Sequence, residues 1–339
     1  MKAALIGLGM VSGTYADAFA KSPTVRLAKI FAPRPESRRR FLGAHAQLGA
    51  TEAAGIDEIA ADPDIGFVVL ATPPNARTEI VRRMAGAGKP LLLEKPIERT
   101  LKAATELVET CEKAGIPLGV MLQHRARPVV AELRRSLPDL GAVLAVEVNV
   151  PWWRDQSYYD EPGRGSYTRD GGGVLISQAI HTLDLMLSLT GPVAEVTALA
   201  ATTGFHRMEA EDFVSAGLKF ENGAVGQLYA TTASFPGRGE TITLHCRHGS
   251  ARLEAGTLSL DLHDGASRTI GQSAASGAGA DPMAFGSDWH RAVIEDFAAA
   301  VAENRPPLVP GRTALDVHRL IAALERSARE GAHVSVGDL

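Results

Sequence analysis

Apolar runs and helical stripes alternate along the first third of the chain. Residues 3–8 form a short apolar run ending in glycine, as a buried parallel strand does. A helical stretch follows over 11–20, and 25–31 reads as the second strand. Residues 67–71 (FVVLA) and 90–93 (PLLL) read as further strands, with a helix over 78–86 between them. The pattern predicts a helix over 101–114, closed by the C-cap glycine Gly115, and a returning strand over 117–122. Strand–helix alternation with short links predicts a doubly wound parallel sheet.

Beyond residue 121 the pattern changes. Residues 143–150 predict a longer strand. Ile176, Ile180, Leu183 and Leu187 recur at helical spacing within 173–189. Strands are then expected in series over 195–203, 213–220, 224–233, 241–246, 251–254 and 257–262, with Asn222-Gly223 as a hairpin signal. Successive hairpins predict an antiparallel sheet. Residues 271–282 (GQSAASGAGADP) are small and polar and predict a mobile loop. Helices near 287–303 and 313–330 close the chain. The division is an α/β domain over 1–121 and an α+β domain over 122–339, with the last helices as candidates to pack back on the first.

Composition narrows the functional classes. The chain has 339 residues, of which 45% are hydrophobic and 22% charged, an ordinary globular balance with room for two cores. A net charge of −4 does not suggest a nucleic-acid or membrane partner. Cys111 and Cys246 lie far apart and make neither a disulfide framework nor a metal-ligand spacing. The first strand begins beside Met1, and no apolar run approaches the roughly 18 residues of a bilayer span. The expectation is a soluble, cytoplasmic protein without a metal site.

Three stretches carry candidate chemistry. Gly7-Leu8-Gly9-Met10-Val11-Ser12 follows the first strand and opens a helix. Glycines there permit a tight turn and close approach of the backbone to a pyrophosphate at the helix N-terminus. An acid on the ribose diol is expected about 20 residues past such glycines. Here the second strand ends at Phe31-Ala32-Pro33, and basic residues follow. Ala32 removes the repulsion of a ribose 2′-phosphate, and Arg34 and Arg38 can pair with that dianion. The expectation is NADP(H) in preference to NAD(H). Arg39 and Arg40 read instead as a solvated helix face.

Leu93-Glu94-Lys95-Pro96 lies at the C-terminal end of a parallel strand, the edge where ligand chemistry collects. A lysine there can donate to a substrate oxygen, although a Glu-Lys pair can equally be a surface ion pair. Residues 171–184 (GGGVLISQAIHTLD) place Ser177, His181 and Asp184 along one helix face, beside an apolar stripe. His181 can be a satisfied core histidine or a proton carrier, and spacing leaves both open.

With ATPPNAR (71–77), GVMLQHRARP (119–128), EDFVSAGLKFENGAVG (211–226) and RPPLV (305–309), this set of motifs resembles the Gfo/Idh/MocA oxidoreductases over essentially the whole chain. The resemblance implies hydride transfer between a nicotinamide cofactor and a sugar or cyclitol carbon. It makes Lys95 and His181 the catalytic candidates. Gly7, Gly9, Met10, Val11, Ala32, Arg34, Arg38, Thr72, Pro73, Asn75, Glu94, Lys95 and Gln123 become the cofactor candidates. Lys95, Arg125, Ser177, Gln178 and His181 would face substrate. The chain departs from the family pattern at three places. Ser177 stands where many members carry Asp, and a hydroxyl brings no charge. Arg77 stands where a histidine is common. Gln123-His124-Arg125 replaces a more usual Asn-Arg-Arg.

Residues 151–169 (PWWRDQSYYDEPGRGSYTR) gather five of the chain's eight Trp and Tyr residues. Aromatic faces such as Trp152 and Tyr158 stack on sugar C–H faces, and Arg154 and Arg164 can bond hydroxyls or an acid. The same composition suits a subunit contact, and the resemblance implies a homodimer or homotetramer. Two other readings stay open: an NAD-retaining glycosidase of the same family, and a non-catalytic cofactor-binding regulator.

Overall fold

The computed structural model describes residues 1–273, 277–279, 281 and 283–339. The chain forms two compact units, one of Met1–Gln123 with Gly286–Leu315, the other of His124–Phe285 with Asp316–Leu339. In chain order the first unit opens with β1 (Lys2–Ile6), α1 (Ser12–Lys21), β2 (Arg26–Phe31), α2 (Pro35–Ala44), β3 (Thr51–Glu52) and α3 (Ile56–Ala61). It continues with β4 (Phe67–Leu70), α4 (Thr78–Gly86), β5 (Leu91–Glu94), α5 (Leu101–Lys113) and β6 (Leu118–Met121). The six strands form one parallel sheet in the order β3-β2-β1-β4-β5-β6. The order reverses at β1, so the β1–α1 turn sits at the switch point where doubly wound sheets bind ligands. Every residue of β4 and β5 is buried, because helices cover both faces of such a sheet.

The second unit holds α6 (Pro128–Leu140), β7 (Val143–Pro151), the short α7 (Gln156–Tyr159), a π-helical turn (Leu175–Ala179) and α8 (Ile180–Thr190). Then come β8 (Val193–Ala201), β9 (Phe213–Phe220), β10 (Val225–Thr231), β11 (Thr241–Cys246), β12 (Gly249–Glu254), β13 (Thr257–Leu262) and β14 (Ser267–Gly271). The helix α9 (Asp288–Glu303) belongs to the first unit, where Phe297 meets Phe67 with ring centroids 5.3 Å apart. The chain ends with α10 (Gly311–Glu330) and β15 (Val334–Ser335). The nine strands pair in the order β14-β13-β12-β11-β7-β10-β9-β8-β15. All neighbours are antiparallel except β7 and β10. In β9, Val214, Ala216, Leu218 and Phe220 are buried while Ser215, Gly217 and Lys219 are exposed. This two-residue period packs one face and leaves the other open. The α/β plus antiparallel architecture is the one the hydrophobic pattern predicts.

The differences have local causes. The pattern leaves 35–61 without elements, yet α2, β3 and α3 lie there. Helix α2 buries only Phe41 and β3 is two exposed residues, so neither writes a periodic stripe. Helix α6 contains Pro138, a signal that argues against a helix, while Pro128 suits its first turn and Val130 and Leu133 anchor it. The helix expected over 173–189 begins as a π-turn, and Gly173 stays outside it. Of the loop expected over 271–282, residues 274–276, 280 and 282 lie outside the described residues.

Candidate functional site

The β1–α1 turn is shaped by backbone approach. Gly7 has φ +101°, and a Cβ on it would lie 2.6 Å from the carbonyl carbon of Ala71. No side chain fits there. Nothing lies within 4 Å of where a Cβ on Gly9 would sit. Helix α1 starts without a side-chain cap, Ser12 donating its hydroxyl to the Gly9 carbonyl at 2.7 Å. Met10 is exposed and Val11 half-buried. An uncapped helix N-terminus beside open space favours an anion. Past β2, Ala32 brings no carboxylate and Arg34 is exposed. Arg38 is turned onto the protein. It donates to the Ala32 carbonyl at 2.6 Å and to the Glu52 carboxylate at 3.1 Å.

The Lys95 turn is braced by a buried arginine. Arg77 is 1% exposed. Its guanidinium donates to the Thr72 carbonyl at 2.7 and 3.1 Å, to that of Ile97 at 3.3 Å, and to those of Glu94 and Pro96. One side chain thus ties the segment after β4 to the segment after β5. Burial pulls the Arg77 guanidinium down to about 10, with Glu94 opposing. Within the same unit the Glu94 carboxylate accepts from the Lys95 amide at 2.9 Å and from the Tyr15 hydroxyl at 3.0 Å. Burial raises Glu94, and the Lys95 and Arg77 charges oppose it. His290 packs edge-on against Tyr15, and burial together with the Lys95 charge pushes it down to about 3. It is neutral at physiological pH.

Two oxygens bear on whether a dinucleotide suits this unit. Thr72 Oγ1 and Gln123 Oε1 are buried and meet no hydrogen-bond partner among the described residues. Buried polar atoms seldom stay unpaired. Pro73 and Asn75 are exposed beside Thr72. Open space at Gly9, an uncapped helix and two orphaned oxygens fit a bound dinucleotide.

In the second unit the His181 segment is capped from a distant strand. The Glu211 carboxylate accepts from the Gly173 and Leu175 amides, each at 3.1 Å, and its carbonyl accepts from Val174 at 2.8 Å. A Cβ on Gly173 would sit 1.7 Å from that carbonyl oxygen. His181 is 7% exposed, one residue into α8. Asp184, on the same helix, is taken by Arg125, which donates to both carboxylate oxygens at 2.7 and 2.6 Å. Burial raises Asp184 while Arg125 opposes. The structure therefore spends the Arg125 guanidinium, a substrate candidate, on a protein partner. His124 lies against His181, ring centroids 5.0 Å apart and planes 33° apart. Behind it, Glu240 Oε1 is 3.9 Å from His124 Nε2 and also bonds Arg127 at 2.5 Å. Gln178 reaches the Tyr158 hydroxyl at 3.4 Å, and Ser177 is half-buried.

The aromatic loop binds its own arginines. Arg154 donates to the carbonyls of Trp153, Gly279 and Gly277 at 2.8, 2.6 and 2.7 Å and stacks 5.3 Å from the Trp152 ring. Arg164 pairs with Glu161 at 2.8 Å and lies 4.8 Å from the Tyr158 ring. Trp152 is buried and Tyr158 half-buried. Sequence reasoning assigned no role to Tyr15, Arg77, His124, Glu211, Glu240 or His290. Only Arg77 and His124 left a signal, as departures from a familiar motif.

A model for the oxidoreductase family with an NAD-binding Rossmann fold matches residues 1–122, and one for the GFO/IDH/MocA C-terminal domain matches residues 137–252. The chain belongs to the Gfo/Idh/MocA oxidoreductase family. It is 30% identical to a 1,5-anhydro-D-fructose reductase of Ensifer adhaerens over 58% of this chain and 59% of the relative. The chain thus spans about three fifths of that protein's length. A D-apiose dehydrogenase of Paraburkholderia graminis is 27% identical across 100% of this chain and 90% of its own. The crystal structure of the WlbA dehydrogenase from Bordetella pertussis, in complex with NADH and UDP-GlcNAcA, superposes with a TM-score of 0.81 at 28% identity, covering 99% of this chain and 98% of that one. Among the described residues no helix is long and apolar enough to cross a membrane.

Proposed function

We propose that this chain is an NADP(H)-preferring oxidoreductase that moves a hydride to or from a hydroxyl-bearing carbon of a sugar, cyclitol or related polyol. The observation that carries the reading is the pair of orphaned buried oxygens, Thr72 Oγ1 and Gln123 Oε1, in the unit whose Gly9 turn is open. Relatives named as a sugar reductase and a sugar dehydrogenase support the substrate class. The missing acid at Ala32 and the exposed Arg34 support the 2′-phosphate.

When bound, the nicotinamide exchanges the hydride. Lys95 donates to the reacting oxygen and stabilises negative charge that develops there. Glu94, fixed by Tyr15 and by the Lys95 amide, keeps an acceptor beside the ammonium. Neutral His290 adds no competing cation near Lys95. His181 takes the hydroxyl proton in the oxidative direction and returns it in the other. Trp152, Tyr158, Ser177 and Gln178 would form the sugar-facing surface, and the chain assembles as a homodimer or homotetramer.

The test is turnover of a panel of aldoses, cyclitols and polyols with NADP⁺ and with NAD⁺, followed by nicotinamide absorbance. The reading expects at least one substrate that Lys95→Ala does not turn over. Release of tightly held NAD on denaturation, with no net dehydrogenase turnover, would place the NAD-retaining glycosidase first.

A further inference from the structure

In the second unit the turn between β8 and β9 does more than link two strands. Its His206 side chain is fully buried and bonds through both ring nitrogens. Nδ1 lies 2.6 Å from Asp212 Oδ2, and Nε2 lies 2.8 Å from the Arg154 carbonyl. A carbonyl only accepts, so Nε2 carries a hydrogen. Asp212 is a fixed anchor. Its amide donates to the Ala201 carbonyl at the end of β8. Its own carbonyl accepts from the Thr232 amide and from the Thr231 hydroxyl at the end of β10. The Thr203 amide and hydroxyl each donate to its carboxylate at 2.7 Å. Arg154 stands two residues before α7, on the loop that carries Trp152 and Tyr158. The next residue of the turn meets the same loop, the Arg207 amide donating to Gln156 Oε1 at 2.8 Å. The His206 ring packs 4.8 Å from that of Tyr159, whose hydroxyl meets Thr232 Oγ1 at 2.7 Å. Tyr159 in turn stands edge-on to Tyr158, ring centroids 5.0 Å apart.

We propose that His206 is a positioning residue for the substrate: it clasps the loop before α7 to the ends of β8, β9 and β10 and so sets where Trp152 and Tyr158 stand. The inference rests on the reading of Trp152 and Tyr158 as sugar-facing. Helix α7 is a single turn of four residues, too short to hold its place by its own backbone bonds. Its aromatic side chains need outside ties to present a fixed surface. Stacking on a sugar ring depends on ring placement, so a loop that shifts loses binding surface. The groups that move the hydride and the proton stay as they are. His206 touches neither substrate nor cofactor in this arrangement, and it therefore acts on KM rather than on kcat. Its two nitrogens can be tested apart. A glutamine places its Nε2 near that of histidine, and an asparagine places its Nδ2 near Nδ1. Gln thus keeps the bond to the Arg154 carbonyl, and Asn keeps only the bond to Asp212.

The experiment compares the full-length wild type with His206→Gln and His206→Asn. KM and kcat are measured for a sugar or polyol from the panel that is turned over, and cofactor affinity by NADPH fluorescence titration. His206→Asn should raise KM about three- to tenfold, the range for one lost hydrogen bond, and leave kcat and cofactor affinity within about twofold. His206→Gln should recover most of that loss in KM. A histidine that serves stability alone would lower Tm in both variants and leave KM in place, and that result overturns the proposal. So does a rise in KM as large in His206→Gln as in His206→Asn. Where a variant fails to fold, NMR of the wild type decides. At neutral pH His206 should show a slowly exchanging Nε2–H with a nuclear Overhauser contact to the backbone at Arg154. A bare or rapidly exchanging Nε2 overturns the proposal. If no member of the panel is turned over, the proposed function fails and this inference falls with it. If one is turned over and KM does not move, only this inference fails.

Discussion

The two segments that carry Lys95 and His181 are held in contrasting ways. The Lys95 turn is fixed through backbone: one guanidinium gathers the carbonyls of Thr72, Glu94, Pro96 and Ile97. The His181 helix is fixed through side chains that come from far along the chain, namely Glu211, Arg125 and His124. A backbone clamp makes position insensitive to the identity of the clamped residues. A side-chain scaffold makes both position and proton affinity depend on a few distant groups. Changes near Lys95 should therefore act mainly on geometry, and changes near His181 on pH behaviour.

Substitutions in the two segments should separate geometry from proton affinity. The largest effect is expected from Lys95→Ala and His181→Ala, each lowering kcat by about 10³-fold or more, within the range of lost acid–base or charge-stabilising groups. Cofactor affinity, read by fluorescence titration, should change by less than about threefold, since neither substitution removes a binding oxygen at Thr72 or Gln123. Arg77→Met should come next. It orphans several buried carbonyls and should cost about 3 kcal/mol of stability. Denaturant unfolding reads that loss, and kcat should fall without a matching shift of the pH–rate profile. Arg77→Lys should rescue only part, because a point charge cannot span the same carbonyls. If Arg77→Met instead moves the pH profile, the clamp acts on charge and the contrast breaks.

Gly173→Ala should destabilise by about 2–3 kcal/mol, because its Cβ would meet the Glu211 carbonyl that caps the helix. The smallest effect concerns Glu325, in the second unit, where burial and then Glu211 raise the carboxyl from 4.5 to about 8. Between those values the unfolded chain releases the proton and the folded chain keeps it. Stability therefore falls as pH rises from about 4.5 to about 8, and levels off above. Glu325→Gln removes this dependence. Its Tm relative to the wild type should rise between pH 5 and pH 9, as thermal unfolding would show.

Much of this was legible in the sequence, and unevenly so. Alternation of apolar runs with 3.6-residue stripes reveals the parallel sheet, and Asn222-Gly223 marks the β9–β10 turn, where Gly223 has φ +88°. The glycines at 7 and 9, the missing acid at Ala32 and the EKP turn were visible because local backbone demands leave local residues. What was hidden came from long-range pairing. Nothing in RARP says that Arg125 will be spent on Asp184, or that Arg127 will seek Glu240. Arg154 and Arg164 look like substrate ligands in a string of aromatics, yet they bond loop carbonyls and Glu161. The π-turn before α8 was masked by Leu175 and Ile176, which suit either winding. Helix α2 buries one side chain, so its sequence writes no stripe to read.

We propose that the open turn at Gly9, with Ala32 and Arg34 beyond β2, holds a phosphorylated dinucleotide. Fluorescence titration with NADPH and, separately, NADH tests it most directly. NADPH should bind at least about tenfold tighter, with Arg34→Ala erasing most of the difference by removing one charge-assisted contact. Equal or tighter binding of NADH, unchanged by Arg34→Ala, would contradict it.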